Sequence, residues 1–193
     1  MAKEFPENAK YTLPGLTDDQ GNRVASILQD RLWALNDLQL VLKHAHWNVV
    51  GRNFISVHEM IDPQVDEVRA AVDAVAERIA ALGYSPDGRA GALVEGRRWD
   101  DYSVRRAGVY EHLGALDVVY IGVIEDHRRA IDEVGEIDKI TEDLLISQTG
   151  GLEAFQWFVR AHLESTDGDL ATSGATTEKG AAQDATQDTG VPA

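Results

Sequence analysis

The sequence contains no cysteine, which excludes disulfide bonds, thiolate metal sites and a cysteine nucleophile. Any metal ion must therefore be held by histidine, aspartate or glutamate. No window approaches the roughly 20 consecutive apolar residues of a membrane-spanning helix, and the opening residues lack the apolar core of a secretory signal. These features predict a soluble cytoplasmic protein with no membrane partner.

Basic residues are scarce as well, because 18 Lys and Arg stand against 33 Asp and Glu, for a net charge of −15. Nucleic acid binding relies on clustered Lys and Arg that release counterions from the phosphates. The charge therefore argues against nucleic acid and favours attraction of small cations. Many acidic proteins are merely soluble, so charge alone does not identify a function.

The composition has few Thr, Phe or Tyr in β-like runs and is rich in Ala, Leu and Val, which predicts an all-α fold. Thr17 is predicted to cap the first helix, with Gln20 completing a capping box. The same kind of signal predicts that later helices start at Ser56, Ser103 and Thr141. Four long helices follow from this pattern.

The predicted helices form two hairpins that are joined by residues 84–102, a segment too long for a tight turn. This long crossover, with room for one short helix, indicates a ferritin-like four-helix bundle. We predict an extended N-terminal arm over 1–16, the bundle over 17–165 and a mobile acidic tail over 166–193.

Four potential metal ligands share one face of the predicted second helix: at 100° per residue, they lie at roughly 0°, 40°, 60° and 100°. They are His58, Asp62, Asp73 and Glu77. The first two lie roughly 16 Å along the axis from the last two, too far for one metal ion with bonds of about 2 Å. They are either unrelated polar pairs or halves of a site that another molecule completes. If this helix packs antiparallel to its own copy across a two-fold axis, each half meets the complementary half of the other chain, so two sites form. His46, near the end of the first helix, would lie beside His58 in each of them.

Nitrogen and oxygen ligands rich in carboxylate suit Fe(II), Mn(II) or Zn(II). The stretch "HEMID" resembles half of the HExxH zinc-hydrolase signature, with Asp62 in place of the second histidine. A metal-dependent hydrolase using the same residues is therefore an alternative, and a structural shell with vestigial metal affinity is another. No Glu-x-x-His occurs, so the di-iron site inside each subunit of ordinary ferritin-like bundles cannot form in its usual way.

The segment "HWNVVGRNFISVHEMID", followed by "DAVAE", resembles the Dps-like mini-ferritins, the DNA protection during starvation family, and the likeness extends over residues 12 to about 165. In that family two histidines and an aspartate come from one subunit, and an Asp-x-x-x-Glu pair comes from its two-fold mate. The matching residues here are His46, His58, Asp62, Asp73 and Glu77. The resemblance implies a hollow homododecamer that oxidises Fe(II), preferably with hydrogen peroxide, at two-fold inter-subunit sites. It also implies storage of ferric mineral and protection against oxidative stress.

The resemblance further implies that Trp47 is the family's tryptophan near the metal, which quenches or channels radicals. Iron enters such shells through acidic three-fold pores, and the pore candidates are Asp138, Glu142 and Asp143. Family members that bind DNA use basic tails, whereas both tails here are neutral or acidic, so we predict no DNA binding at physiological salt.

Four further histidines have no carboxylate partner at metal-ligand spacing, and we expect them to be structural or solvent-exposed. They are His44, His112, His127 and His162.

Overall fold

The computed structural model describes residues 8–188, which form six α-helices and a short parallel pair of strands. The helices are α1 (Asp18–Asn48), α2 (Phe54–Ala81), α3 (Ala90–Gly96), α4 (Val109–Gly135), α5 (Lys139–Arg160) and α6 (Glu178–Asp188). The strands are β1 (Val49–Val50) and β2 (Ala107–Gly108). Helix α1 packs along α2 and α4 packs along α5. The predicted four-helix bundle, with a short helix in its crossover, is confirmed.

Helix α1 begins as predicted, because Thr17 and Gln20 form a reciprocal capping box. The Gln20 backbone N–H donates to the Thr17 hydroxyl at 3.3 Å, and the Thr17 N–H donates to the Gln20 side-chain oxygen at 2.9 Å. The apolar stripe of α1 is buried in the bundle core. Each fully buried leucine or isoleucine of this core contributes about 1.5–3 kcal/mol. None of the described helices has the length and apolar character that crossing a membrane requires.

Helix α2 begins earlier than the sequence pattern predicted. Its N-cap is Asn53, in the left-handed conformation at φ 62°, and Ser56 lies inside the first turn, where its hydroxyl donates to the Asn53 carbonyl at 2.7 Å. The prediction that Ser56 caps this helix is therefore wrong. The earlier start also places Pro63 in the helix interior, where its missing N–H removes one backbone hydrogen bond.

Helix α4 begins six residues later than predicted. Residues 103–106 are not helical, β2 pairs with β1 at Ala107–Gly108, and the helix starts only after Gly108, whose N–H donates to the Glu111 carboxylate at 2.7 Å. The Ser103 backbone N–H instead donates to Glu178 of α6 at 2.6 Å. A hydroxyl residue followed by a helical pattern could not reveal this strand pairing.

The C-terminal segment differs from the mobile tail predicted from its composition, because α6 packs against α4. Ala181 and Ala185 are fully buried, and a Cβ atom on Gly114 would lie only 2.4 Å from the Ala181 carbonyl oxygen. Small side chains on both helices therefore permit a close approach of the backbones. The predicted N-terminal arm is non-helical over 8–16, while 1–7 and 189–193 lie outside the described residues.

Candidate metal centre

His46 and His58 form the centre of the candidate site. His46 lies in the last turn of α1, and the short connection through Gly51, at φ +96°, returns the chain so that the two imidazole rings stack at 3.6 Å. Each Nδ1 lies 2.9 Å from the other residue's backbone carbonyl oxygen. Because a carbonyl oxygen can only accept, we assign a hydrogen to both Nδ1 atoms. Both Nε2 lone pairs are then available to a metal ion.

Asp62 completes this cluster on the solvent side. Its Oδ1 lies 3.3 Å from His46 Nδ1 and 2.8 Å from Lys43 Nζ. The hydrogen bond from Lys43 holds the pKa of Asp62 below its usual value, and the nearby histidines act in the same direction. Since half of this side chain is exposed, at 51%, its carboxylate is ionised and accessible to a cation.

Lys43 is a residue of this site that the sequence reasoning missed. Its Nζ lies 5.8 Å from the ring centroid of Trp47 as well as against Asp62, so it links the predicted ligands to the predicted tryptophan. The signal was present, because Lys43 lies three and four residues before His46 and Trp47 and so shares their side of α1. Trp47 itself is 72% exposed in the single chain.

Asp73 and Glu77 lie farther along α2 and are both exposed, without a hydrogen bond or ion pair to any other described residue. The helical rise places them roughly 16 Å or more from Asp62. Within residues 8–188, no three His, Asp or Glu side chains are arranged to hold a metal ion on their own. In one chain His46, His58 and Asp62 are neighbours without forming a complete metal site, and the other two predicted ligands lie apart from them.

The three pore candidates have different surroundings. Asp138 is the N-cap of α5, where its carboxylate accepts from the Ile140 N–H at 3.2 Å and from the Thr141 hydroxyl at 2.5 Å. The predicted cap at Thr141 is therefore wrong. Asp138 is also buried and paired with Arg78 at 2.5 Å, so its carboxylate is committed to capping. Although burial opposes ionisation, the bonds from Thr141 and Arg78 leave the pKa of Asp138 below its usual value.

The other two pore candidates remain closer to solvent. Glu142 is half-buried and pairs with Lys139 at 2.9 Å, and Asp143 is exposed. Both lie in the first turns of α5, where acidic residues also interact favourably with the helix dipole.

The remaining histidines occupy structural or exposed positions. His44 Nε2 lies 3.0 Å from the Val104 carbonyl, and His162 is exposed. His112 and His127 are fully buried, and His127 Nδ1 donates to the Val123 carbonyl at 3.0 Å.

Burial, with a smaller contribution from the positive charge of Arg31, lowers the pKa of His127 to about 4. The unfolded chain takes up this proton near pH 6.5, whereas the folded chain does not, so stability is lost as pH falls from about 6.5 to about 4. His127→Leu should flatten this part of the stability profile, measured as thermal midpoint against pH. His162→Leu, at an exposed position, serves as the control, and an unchanged slope in His127→Leu would contradict the assignment.

The sequence model of the ferritin-like domain matches residues 25–168. A curated relative from Mycolicibacterium smegmatis, named DNA protection during starvation protein, is 59% identical over 175 residues, which cover 91% of this chain and 96% of the relative. A solved structure of Mycobacterium smegmatis Dps is similar with a TM-score of 0.87 and 58% identity, over 90% of this chain and 99% of that chain. The structure of DpsA14 from Streptomyces coelicolor has a TM-score of 0.84 and 61% identity, over 87% of this chain and 100% of that chain.

Proposed function

Because this chain belongs to the ferritin-like proteins, as a Dps-like mini-ferritin, we propose that it oxidises Fe(II), preferably with hydrogen peroxide. The proposed sites lie between subunits of a hollow homododecamer, which stores the ferric mineral. We also propose that the protein acts in the cytoplasm, as the sequence predicts. In this role the protein removes both reactants of radical chemistry and so protects against oxidative stress.

The observation that carries the proposal is the division of the ligands into two groups, one where α1 and α2 meet and one farther along α2. His46, His58 and Asp62 form one half of a site, with both Nε2 atoms available, and Asp73 and Glu77 provide a separate pair of exposed carboxylates. Antiparallel packing of α2 on the α2 of a second copy brings each half against the other half of its partner. Two identical sites then form in one interface.

Exposed apolar side chains support association with further copies. One set lies on α1 and at the start of α2 and consists of Leu40, Trp47, Phe54 and Ile55. A second set follows α5 and consists of Ile140, Ile146, Trp157 and Phe158. Exposed apolar patches of this kind are typical of protein interfaces. Two such surfaces on one chain are compatible with a closed shell, which needs more than one type of contact.

In the proposed reaction, the histidines and carboxylates bind Fe(II) as substrate. Each Fe(II) ion gives up one electron, and hydrogen peroxide takes two electrons and two protons and leaves as two molecules of water. The carboxylate-rich ligand set is a hard donor set that suits the ferric product. Trp47, exposed beside Lys43, is proposed to intercept oxidising radicals that escape this paired step. Glu142 and Asp143 are proposed to line the iron entrance.

The proposal is tested by adding Fe(II) and peroxide to the metal-free protein and separating the products by size exclusion with in-line iron detection. We expect ferric iron to co-elute with a particle of about twelve chains. Iron that precipitates outside the protein peak, at the rate of a protein-free control, would exclude the proposal. The hydrolase alternative predicts something different, namely turnover of an amide or ester without any oxidant, which chelation abolishes.

Lys43 should compete with iron for Asp62, because its ammonium group occupies the carboxylate in the absence of metal. Lys43→Met removes this competitor, and we expect anaerobic Fe(II) binding to tighten by about two- to fivefold, as suits a partly exposed ion pair. Isothermal titration calorimetry measures the change. Lys179→Met, on α6, removes the same charge away from the site and should leave the affinity unchanged, and weaker binding by Lys43→Met would contradict this role.

The protein should give no mobility shift with duplex DNA at physiological salt. Its charge is strongly negative and α6 is itself acidic, so it offers few cations for the phosphates. An electrophoretic mobility assay over a salt series is the measurement. A shift that persists at physiological salt would refute this prediction.

A further inference from the structure

Tyr102, in the crossover, faces a histidine that the proposed iron chemistry does not use. Its hydroxyl lies 3.1 Å from Nδ1 of the fully buried His112, and a longer contact of 3.5 Å joins it to the His112 carbonyl oxygen. The two rings are nearly parallel. The five tyrosines of the sequence all lie in the described part of the chain, and Tyr102 alone among them has its hydroxyl against an imidazole nitrogen.

The environment of His112 keeps a neutral base beside the Tyr102 hydroxyl. Burial lowers the pKa of His112, so the imidazole is neutral at neutral pH. The backbone carbonyls of Asn48 and Arg105 and the carboxylate of Glu111 favour a protonated ring, whereas His44 opposes it. We assign the ring hydrogen to Nε2, and Nδ1 then accepts the Tyr102 hydroxyl hydrogen.

A groove of about 740 Å³ gives small molecules access to Tyr102. Its lining combines apolar side chains, among them Leu38, Val41 and Val119, with charged ones such as Asp37, and Tyr102 lines it from the crossover. Tyr102 therefore has one side towards solvent and its hydroxyl towards a base. The other titratable groups that act on Tyr102 are few: His44 lies edge-on to its ring, and Glu178 is near.

We propose that Tyr102 and His112 form a one-electron redox site, in which Tyr102 is oxidised by small one-electron oxidants that enter the groove. The electron passes to the oxidant, the tyrosine O–H bond breaks, and the proton binds His112 Nδ1. The products are a neutral tyrosyl radical, an imidazolium ion and the reduced oxidant. A small reductant such as ascorbate reverses the step by returning an electron, after which the proton moves back to the tyrosine oxygen.

The group that its hydroxyl contacts distinguishes Tyr102 from the other tyrosines. Tyr120 donates to the amide oxygen of Gln64 at 2.7 Å, and an amide is far too weak a base to take the proton. Without proton transfer, oxidation would leave the positive charge on the phenol of Tyr120 itself, whereas at Tyr102 the charge moves to His112, where the Asn48 and Arg105 carbonyls and the Glu111 carboxylate favour it. Tyr110, partly buried on α4, forms no hydrogen bond from its hydroxyl to another described residue and provides a matched control.

The test uses metal-free protein, so it is independent of iron oxidation. A photogenerated ruthenium tris-bipyridine oxidant is applied to the assembled protein, and radicals are recorded by electron paramagnetic resonance. We expect a tyrosyl signal in the natural protein and in Tyr110→Phe, and loss of most of it in Tyr102→Phe. His112→Asn, which keeps a hydrogen-bond acceptor but not a base, should also lose most of the signal.

A tyrosyl signal in Tyr102→Phe equal to that of the natural protein would overturn the proposal, as would a purely tryptophanyl signal in the natural protein. Two measurements on the natural chain remain decisive if a variant fails to fold. A nitroso spin trap, followed by peptide mass spectrometry, should mark Tyr102 rather than Tyr110. Formation of the radical should also slow in heavy water, because a proton moves with the electron; a trap adduct found only on other residues would exclude the site.

Discussion

Mixing two inactive variants, His58→Ala and Asp73→Ala, should restore about a quarter of the wild-type rate of Fe(II) oxidation. Each variant alone should lose roughly 100-fold or more in rate, because each lacks one ligand at every site. In a mixed pair of chains, the His58→Ala copy supplies intact carboxylates and the Asp73→Ala copy supplies intact histidines. One of the two sites is then complete. Half of randomly formed pairs are mixed, and half of the sites in a mixed pair are complete, so about a quarter of all sites are active.

The experiment requires that the chains assemble together, by co-expression or by joint refolding, and initial rates of ferric absorbance measure the outcome. A mixture of His58→Ala with Asp62→Ala is the matched control, because both changes damage the same half and no pairing restores a site. A mixture of His58→Ala with Asp73→Ala that is no faster than this control would contradict a shared site. Wild-type rates in either single variant would exclude these ligands altogether.

Asp117→Ala should lower the stability of the protein by about 3–5 kcal/mol, because it leaves several donors without their acceptor and each buried unsatisfied group costs about 1–3 kcal/mol. The Asp117 side chain is only 1% exposed, and its carboxylate accepts hydrogen bonds from three side chains on α5 and the C-terminal segment. These are Gln156 at 2.9 Å, Arg160 at 2.7 Å and Thr172 at 2.7 Å. The substitution leaves these donors without their acceptor.

The thermal midpoint should fall by on the order of 10 °C for a chain of this size. Glu153→Ala is the matched control, since it also removes a carboxylate from an arginine pair, but an exposed one with Arg128. This control should change stability by no more than about 1 kcal/mol. Because Thr172 anchors the segment before α6, limited proteolysis should also cleave the C-terminal segment of Asp117→Ala sooner. Equal midpoints for the two variants would show that Asp117 is not such an anchor.

The arrangement of helices could be predicted from the sequence because apolar periodicity reports long-range burial directly. The helix starts were harder, since a serine or threonine followed by an acidic residue fits both a cap and a first-turn position. Thr17 is a cap, whereas Ser56 and Thr141 lie inside their first turns. At α5 the cap is Asp138, which the sequence reasoning assigned to a pore instead.

Two other features, the packing of α6 and the contact of Lys43 with Asp62, could not be predicted from the sequence. Both depend on small or polar residues that meet only in the folded chain. Helix α6 is held through Ala181 and Ala185 against Gly114, while the composition of its segment lacks large apolar groups. Lys43 is a lone lysine on a helix, which is ordinarily solvated, and its contact with Asp62 depends on how α1 packs on α2. The ligand spacing on α2, by contrast, follows from helix geometry alone and needed no tertiary information.

The separation of Asp73 and Glu77 from the histidine half has a consequence for newly synthesised chains. With the proposed division of ligands, a chain released from the ribosome carries imidazole and carboxylate groups but cannot assemble a complete ligand set by itself. Iron oxidation would then begin only when two folded copies meet. Isolated or misfolded chains would then oxidise no iron, and the reaction would be confined to chains that have already paired.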